Sequence, residues 1–159
     1  MKHFTSYYAN YNNIPKNYMC IGISRFCPEW FANNELDNFM FVKDNFLAPS
    51  EELLQNYKDG KVSQEQYKRE YVTGVMTKVV TPMGYTDLGE WIKAADQHFS
   101  TTMRQWDAIV FLCYERPDEF CHRHILRKML TNVYHVQCDE YGYKEKVQNN
   151  NSSVELFTE

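Results

Sequence analysis

The sequence predicts a single compact α/β domain, in which a mostly parallel sheet is flanked by helices. Two continuous apolar runs, at residues 19–24 and 108–114, are typical of strands that are buried on both faces of a parallel sheet. Segments with helix start signals lie between the predicted strands, and this alternation favours the α/β class. With 159 residues, 43% of them hydrophobic, the chain is long enough and apolar enough to form one core.

Strands are predicted at residues 4–9, 19–24, 108–114 and 134–138. The folded domain is expected to span residues 1–143. Beyond it, residues 148–153 are all Gln, Asn or Ser and offer little apolar surface to bury. Residues 144–159 are therefore predicted to form a flexible, Asn-rich tail.

Each predicted helix begins near a capping Ser or Asp, or at a proline. On these signals, helices are expected from 49 to 59, from 63 to about 80, from 87 to about 105 and from 117 to about 133. Pro82 and Gly84 are expected to end the second helix. The apolar side of the fourth is formed by Ile125, Leu126, Met129, Leu130 and Val133.

The net charge of −4 at pH 7 restricts the binding partners. An acidic molecule repels a polyanion, and nucleic-acid affinity normally depends on many phosphate contacts, so no long DNA or RNA partner is expected. A small anionic or nucleotide-like ligand is compatible with this charge, because two or three well-placed arginines can hold one phosphate. A homo-oligomer is also compatible with the sequence.

The sequence shows no targeting or membrane segment. No apolar run has the length of a signal peptide or approaches the roughly 20 residues that span a bilayer. The five cysteines fit neither a disulfide framework nor a paired Cys-x-x-Cys zinc pattern. We therefore expect a cytoplasmic protein with reduced thiols and no membrane partner.

The segment at residues 113–124 combines most of the chemically versatile side chains. It runs from the end of a buried strand through a short loop into a predicted helix start. Ligands of open α/β sheets bind at the carboxyl ends of strands, and helix N-termini favour anions. The side chains expected to meet there are Cys113, Tyr114, Glu115, Cys121, His122 and Arg123. Ser24 and Arg25 end the other buried strand, and they join this site if the two strands are neighbours.

This pattern, a strand-end Cys113-x-Glu115 followed by Cys121-His122-Arg123, resembles the domain of unknown function 488 family of bacteria, archaea and their phages. The resemblance extends over residues 4–138 and includes Ser24-Arg25, the turn at residues 47–50 and the stretch at residues 57–71. It implies a compact α/β fold, and it leaves the reaction, the substrate and any cofactor open. No cofactor is predicted.

The predicted ligand-binding residues are Ser24, Arg25, Cys113, Tyr114 and Arg123. In this interpretation the two arginines hold a phosphate or carboxylate, while Glu115 accepts a hydrogen bond from the ligand. The alternative is structural: a carboxylate buried at a strand end is costly without a cation, so either arginine could instead pair with Glu115.

The predicted catalytic residues are Glu115, Cys121 and His122. Glu115 or His122 would transfer protons, and a helix start beside an imidazole lowers the pKa of a thiol, so Cys121 is a candidate nucleophile. The alternative is that Cys121 is a small buried hydrophobe and that His122 packs at the helix start. A Cys-x5-Arg spacing to Arg127 resembles that of cysteine phosphatases, but the residues between look helical and lack glycine.

No metal site is predicted. The sulfur and imidazole side chains of Cys113, Cys121, His122, His124 and Cys138 include zinc-ligand types, but adjacent residues in a helix point about 100° apart. A separate aromatic segment contains Trp30, Phe31, Phe39, Phe41 and Phe46 and has no clear period. It is expected to form a satellite core under a long loop, with a lid that stacks on a base as the alternative.

Three functions are compatible with these residues. The first is a protein that binds a nucleotide-type or other phosphorylated small ligand. The family resemblance, which includes phages, implies that such a protein could sequester a nucleotide signal in a phage or bacterial defence setting. The second is an enzyme, a hydrolase or transferase, that acts on a nucleotide or nucleoside-like substrate. The third is a structural interaction module whose motif is only a polar network.

Overall fold

A five-stranded, entirely parallel sheet forms the centre of the computed structural model, which describes residues 1–32, 35–41, 45–78, 87–101 and 103–143. The strands are β1 (Lys2–Tyr7), β2 (Tyr18–Gly22), β3 (Phe39–Phe41), β4 (Ala108–Cys113) and β5 (Cys138–Glu140), and they lie in the order β3-β2-β4-β1-β5. Helices cover the sheet, so the predicted α/β class is confirmed.

The helices are α1 (Glu29–Ala32), α2 (Glu51–Lys58), α3 (Gln64–Lys78), α4 (Leu88–Thr101) and α5 (His122–Asn132), and a 3-10 helix spans Tyr8–Asn13. The three predicted side-chain caps form. Ser50 and Ser63 accept hydrogen bonds from the backbone N–H groups three residues ahead, both at 3.1 Å, and Asp87 accepts one at 2.8 Å. Each such cap contributes about 1 kcal/mol, which is why α2, α3 and α4 begin where the sequence indicates.

Strand β4 occupies the middle of the sheet, and all six of its residues are buried. It pairs with β2 on one side and with β1 on the other, with Gly22 opposite Leu112 and Tyr7 opposite Cys113. The carboxyl ends of β2 and β4 therefore meet at one edge of the sheet. This neighbour relation brings the two predicted site segments together, as the sequence-based interpretation required.

The two faces of β4 bury different clusters, because side chains alternate along a strand. Ile109 and Phe111 pack in the larger cluster, to which α3, α4 and α5 contribute most of the helical side chains. Val110 and Leu112 pack in the smaller cluster, which is rich in aromatic rings from the 3-10 helix, α1 and β3. Helical layers on both faces explain the continuous apolar sequence of β4.

Strand β3 was not predicted, because three residues at the sheet edge carry no detectable period. Its Phe39 and the nearby Phe31 pack with ring centroids 4.7 Å apart in the smaller cluster. Phe46 joins the larger cluster, where it contacts Trp91 at 5.1 Å. The expected satellite core is therefore present, whereas Trp30 is 60% exposed.

Several predicted boundaries were wrong. The strand predicted at 4–9 ends at Tyr7, because the 3-10 helix follows it, and the strand predicted at 19–24 ends at Gly22. The fourth helix begins at 122 and not at 117, because Glu119 accepts a hydrogen bond from the Arg116 N–H at 3.1 Å and closes a turn there. The third ends at 101, where the chain turns towards β4. Strand β5 starts at 138, since residues 134–136 are bonded to the end of α5. Val133 is 49% exposed and not part of the apolar side of α5.

The predicted helix end at Val80, the breaks at Pro82 and Gly84, and the tail at residues 144–159 lie outside the described residues. None of the described helices combines the length and the hydropathy that crossing a lipid bilayer requires.

Leu126→Ala should lower the free energy of unfolding by about 2–5 kcal/mol, because Leu126 is fully buried and its removal leaves a cavity between α5 and the sheet. Urea denaturation followed by circular dichroism measures the loss. Thr131→Ala, at an exposed position of the same helix, is the control and should change the value by less than about 0.5 kcal/mol. Equal effects of the two substitutions would contradict this packing.

Candidate functional site

A pocket of about 320 Å³ lies at the carboxyl edge of β2 and β4. The predicted site residues that line it are Ser24, Arg25, Cys113, Tyr114, Glu115, Cys121 and His122. Seven of the eight predicted residues therefore meet in one place. Pockets at this edge are the usual ligand sites of parallel α/β sheets.

The opposite wall of the pocket comes from α2, α3 and the loop before α5, and it was missed by sequence reasoning. Tyr57, Tyr67 and Phe120 form a three-ring cluster with centroids 5.1–5.3 Å apart. Lys58 lies beside them with its side chain exposed. The stretch at residues 57–71 was part of the family resemblance, which was the only available signal for this wall.

Cys121 is the N-cap of α5 and has an extended backbone, with φ −154° and ψ 144°. Cys121 and His122 are therefore not successive helical residues, and the 100° argument about their directions does not apply to them. The Nε2 atom of His122 is 2.7 Å from the carbonyl oxygen of Ile23, so this nitrogen donates a proton. The remaining nitrogen, Nδ1, lies 3.9 Å from Cys121 Sγ.

The pocket surroundings favour a thiolate at Cys121. Burial by itself would raise the pKa of this thiol, but hydrogen bonding with Cys113 and the charge of His122 outweigh it and hold the pKa well below its usual value. Burial would lower the pKa of His122, whereas the negative Cys121 and the Ile23 carbonyl raise it. Cys121 and His122 thus stabilise each other as a thiolate and an imidazolium.

The pKa values of Glu115 and of the Cys113 thiol are both raised. Burial, and next the negative charge of Cys121, raise the pKa of Glu115 from 4.5 to about 7. Burial raises the pKa of the Cys113 thiol well above its usual value. Cys113 Sγ donates to Glu115 Oε2 at 3.5 Å. The pocket therefore contains one thiolate, one thiol and a carboxyl group that exchanges its proton near neutral pH.

Cys113, Cys121 and His122 are also the one group of metal-ligand types within the described residues whose donor atoms all lie within 4.8 Å of one another. Because Nε2 of His122 faces Ile23, only Nδ1 is free to bind a metal. Zinc would lie about 2.0 Å from Nδ1 along its lone pair and about 2.3 Å from each sulfur. Cys113 Sγ is 3.7 Å from both ring nitrogens, so it does not lie in the direction of the Nδ1 lone pair. It is therefore more than about 3 Å from that metal position, too far for a zinc–sulfur bond. The arrangement fits thiol chemistry better than a zinc centre.

Arg25 lines the pocket, but its guanidinium is largely engaged by the turn before α2. Its Nε and Nη2 atoms donate to the carbonyl oxygen of Pro49 at 2.9 and 2.7 Å, and Nη2 also reaches that of Ala48 at 3.4 Å. These bonds tie the far wall of the pocket to the end of β2. Arg25 adds positive charge to the rim and positions α2.

Arg123 does not line the pocket. It is fully buried on another side of α5, where its Nε and Nη2 atoms bind the carboxylate of Glu140 in β5 at 3.1–3.2 Å. The expected phosphate contact of Arg123 therefore has no geometric support, and neither has its structural pairing with Glu115. Cys138 lies in the larger core cluster, and His124 lies 3.7 Å from Glu140, so both are outside the thiol cluster.

The Cys-x5-Arg interpretation also lacks its required loop, because the residues between Cys121 and Arg127 belong to α5. A phosphatase-type site needs a loop of backbone N–H groups around the phosphate.

One protein-family model matches most of the chain. The family model DUF488-N3a, described as "Active DUF488-N3 subclade", matches residues 5–133. The chain belongs to the DUF488-N3a family. The match includes both site segments and the turn that Arg25 binds, so the resemblance indicated by the motif is confirmed. No curated protein and no solved structure matches this DUF488-N3a chain.

Substitution of one member of the buried Arg123–Glu140 pair should lower the free energy of unfolding by about 3–5 kcal/mol, because the remaining charge would be buried without a partner. Arg123→Met and Glu140→Leu test each side. The double variant should lose clearly less than the sum, since it removes both charges. Simple additivity in urea denaturation would mean that the two side chains are not coupled.

Glu115→Gln should make the free energy of unfolding less dependent on pH. A carboxyl group whose pKa is raised to about 7 by folding stabilises the protein below pH 4.5, and this contribution is lost as the pH rises through 7. Relative to the wild type, the variant should gain about 1–2 kcal/mol between pH 5 and pH 8, after allowance for solvent screening. Urea denaturation at the two pH values gives the difference, and Glu35→Gln, at an exposed position, is the control.

Proposed function

We propose that this DUF488-N3a chain is an enzyme, a hydrolase or transferase, that acts on a small nucleotide- or nucleoside-like substrate through a covalent intermediate on Cys121. The observation that carries the proposal is the convergence of Cys121, His122 and Glu115 in one pocket at the carboxyl edge of the sheet. A pure binding site needs no thiolate beside an imidazolium. A purely structural network needs no open pocket.

Cys121 is the nucleophile in this proposal. Its Sγ lies at the start of α5, where the helix dipole favours a negative charge, and His122 Nδ1 faces it at 3.9 Å. The thiolate attacks an electrophilic centre of the substrate, and the bond from that centre to the leaving group breaks. The transferred group is then held as a covalent adduct on sulfur.

Glu115 is the proton donor and acceptor. With a pKa of about 7, it carries a proton in about half of the molecules at neutral pH. It gives this proton to the leaving group in the first step. In the second step it takes a proton from water or from an acceptor molecule, which attacks the adduct and releases the Cys121 thiolate.

The pocket fits a substrate of the size of one nucleoside or mononucleotide. Its volume of about 320 Å³ is at the lower end of the range of small-ligand sites. The rings of Tyr57, Tyr67 and Phe120 offer an aromatic wall to a base. Arg25 and Lys58 supply positive charge for a phosphate or another anionic group, although the whole molecule is acidic.

The description of the matching subclade as active supports an enzyme over a structural interaction module. Sequestration of a nucleotide signal in a phage or bacterial defence setting stays a prediction. Sequestration would use the same pocket, but the nucleotide would be retained unchanged and not converted.

Incubation with a panel of nucleosides and nucleotides, followed by mass spectrometry of the small molecules and of the intact protein, tests the proposal. The wild type should convert one class of compound, and Glu115→Gln should lower the turnover by about 10²–10⁴-fold. Cys121→Ala should abolish both turnover and the protein adduct. Cys27→Ser, which changes a partly exposed thiol that does not line the pocket, should retain both.

Turnover should fall as the pH rises through about 7, because Glu115 loses the proton that it gives to the leaving group. Retention of an unchanged nucleotide by the wild type and by Cys121→Ala would favour sequestration. Full activity of Cys121→Ala would refute covalent catalysis.

A further inference from the structure

We infer that Cys121 and Cys113 form a reversible disulfide when a hydroperoxide enters the pocket, so that this pair is an oxidation site of the protein. The two sulfurs and the imidazole of His122 have donor atoms within 4.8 Å of one another. Both cysteines line the same pocket. An oxidant of the size of hydrogen peroxide fits easily in a space of about 320 Å³.

Cys121 is the thiol that reacts first. Thiolates, and not thiols, attack peroxides, and the imidazole of His122 lies 3.9 Å from its sulfur. The Cys121 thiolate attacks one peroxide oxygen and the O–O bond breaks. The sulfur is oxidised to a sulfenic acid, and the second oxygen takes a proton and leaves as water or an alcohol.

Cys113 is the resolving thiol. Its sulfur lies 3.7 Å from both ring nitrogens of His122, and it donates a hydrogen bond to Glu115 at 3.5 Å. Glu115 in its ionised form is therefore placed to take the Cys113 proton. The resulting thiolate attacks the sulfenic sulfur, the S–O bond breaks, and water leaves as the disulfide forms.

The other cysteines lack this arrangement. Cys20 is buried in the smaller cluster on one face of the sheet, and Cys138, the first residue of β5, is buried in the larger cluster. Cys27 is partly exposed but does not line the pocket, and burial raises the pKa of its thiol. Oxidation is therefore expected to select Cys121 and Cys113 among the five.

The disulfide would remove the nucleophile and the hydrogen bond to Glu115 in one step. This consequence for activity rests on the proposed function, because it requires Cys121 to be the catalytic thiolate. Formation of the bond does not rest on it. A reductant of the dithiol class reverses the reaction by thiol exchange.

Peptide mapping under non-reducing conditions detects the bond directly. Trypsin leaves both cysteines in one peptide, residues 105–123, because Arg116 is followed by Pro117. After a stoichiometric amount of hydrogen peroxide and blocking with iodoacetamide, this peptide should carry no alkyl group and lack two hydrogen atoms. A second digestion after Glu115 or Glu119 should leave its two halves joined until dithiothreitol is added.

Matched variants separate the two thiols. Cys27→Ser should form the same disulfide as the wild type. Cys113→Ala should lack it and should instead accumulate Cys121 with two added oxygens, a sulfinic acid that dithiothreitol does not reverse. A wild type that yields only sulfinic Cys121, or a bond to Cys27, overturns the inference.

The test also distinguishes the two proposals. A disulfide without any turnover of nucleotides would leave the oxidation site intact and refute the proposed enzyme. If the wild type turns over nucleotides but iodoacetamide still alkylates both cysteines after peroxide treatment, the oxidation site is refuted and the proposed enzyme stands. When both proposals hold, the loss of turnover should follow the fraction of disulfide and return after dithiothreitol.

Discussion

The register between β2 and β4 is the constraint on which the rest of the molecule depends. Parallel pairing places Gly22 opposite Leu112, so that both strands end at the same level of the sheet. Parallel strands require helical crossovers, and these crossovers cover both faces and bury β4 completely. A shift of one residue would turn Cys113 to the other face, away from α5. The thiol cluster is therefore a product of sheet register as much as of the residues in it.

Burial is the second contribution to the chemistry of the pocket. Burial raises the pKa values of Glu115 and Cys113, whereas the hydrogen bond with Cys113 and the charge of His122 lower the pKa of Cys121. Groups of the same type thus have different proton affinities a few ångströms apart. Enzymes use such differences in pKa between neighbouring groups to provide an acid and a nucleophile at the same pH.

The sequence predicted the parts that are encoded locally. Strands β2 and β4 are continuous apolar runs, and the caps of α2, α3 and α4 are short side-chain patterns, so both were visible without coordinates. Strand β3 was missed because its pairing, and not its own pattern, defines it. The partner of Arg123 was missed for a similar reason, since Glu140 lies 17 positions away in a strand that no local signal connects to the motif. The backbone of Cys121 was taken as helical, although a turn closed by Glu119 delays the helix.

The buried ion pair of Arg123 and Glu140 helps to fix the position of the Cys-His-Arg motif. Strand β5 is only three residues long and lies at the margin of the sheet, where a few backbone hydrogen bonds hold it against β1. The ion pair between the Arg123 guanidinium and Glu140 connects this strand to the first turn of α5. Cys121 and His122 line the pocket, whereas Arg123 holds α5 against β5 through Glu140. The position of Cys121, at the start of this helix, is thereby linked to a strand at the edge of the sheet.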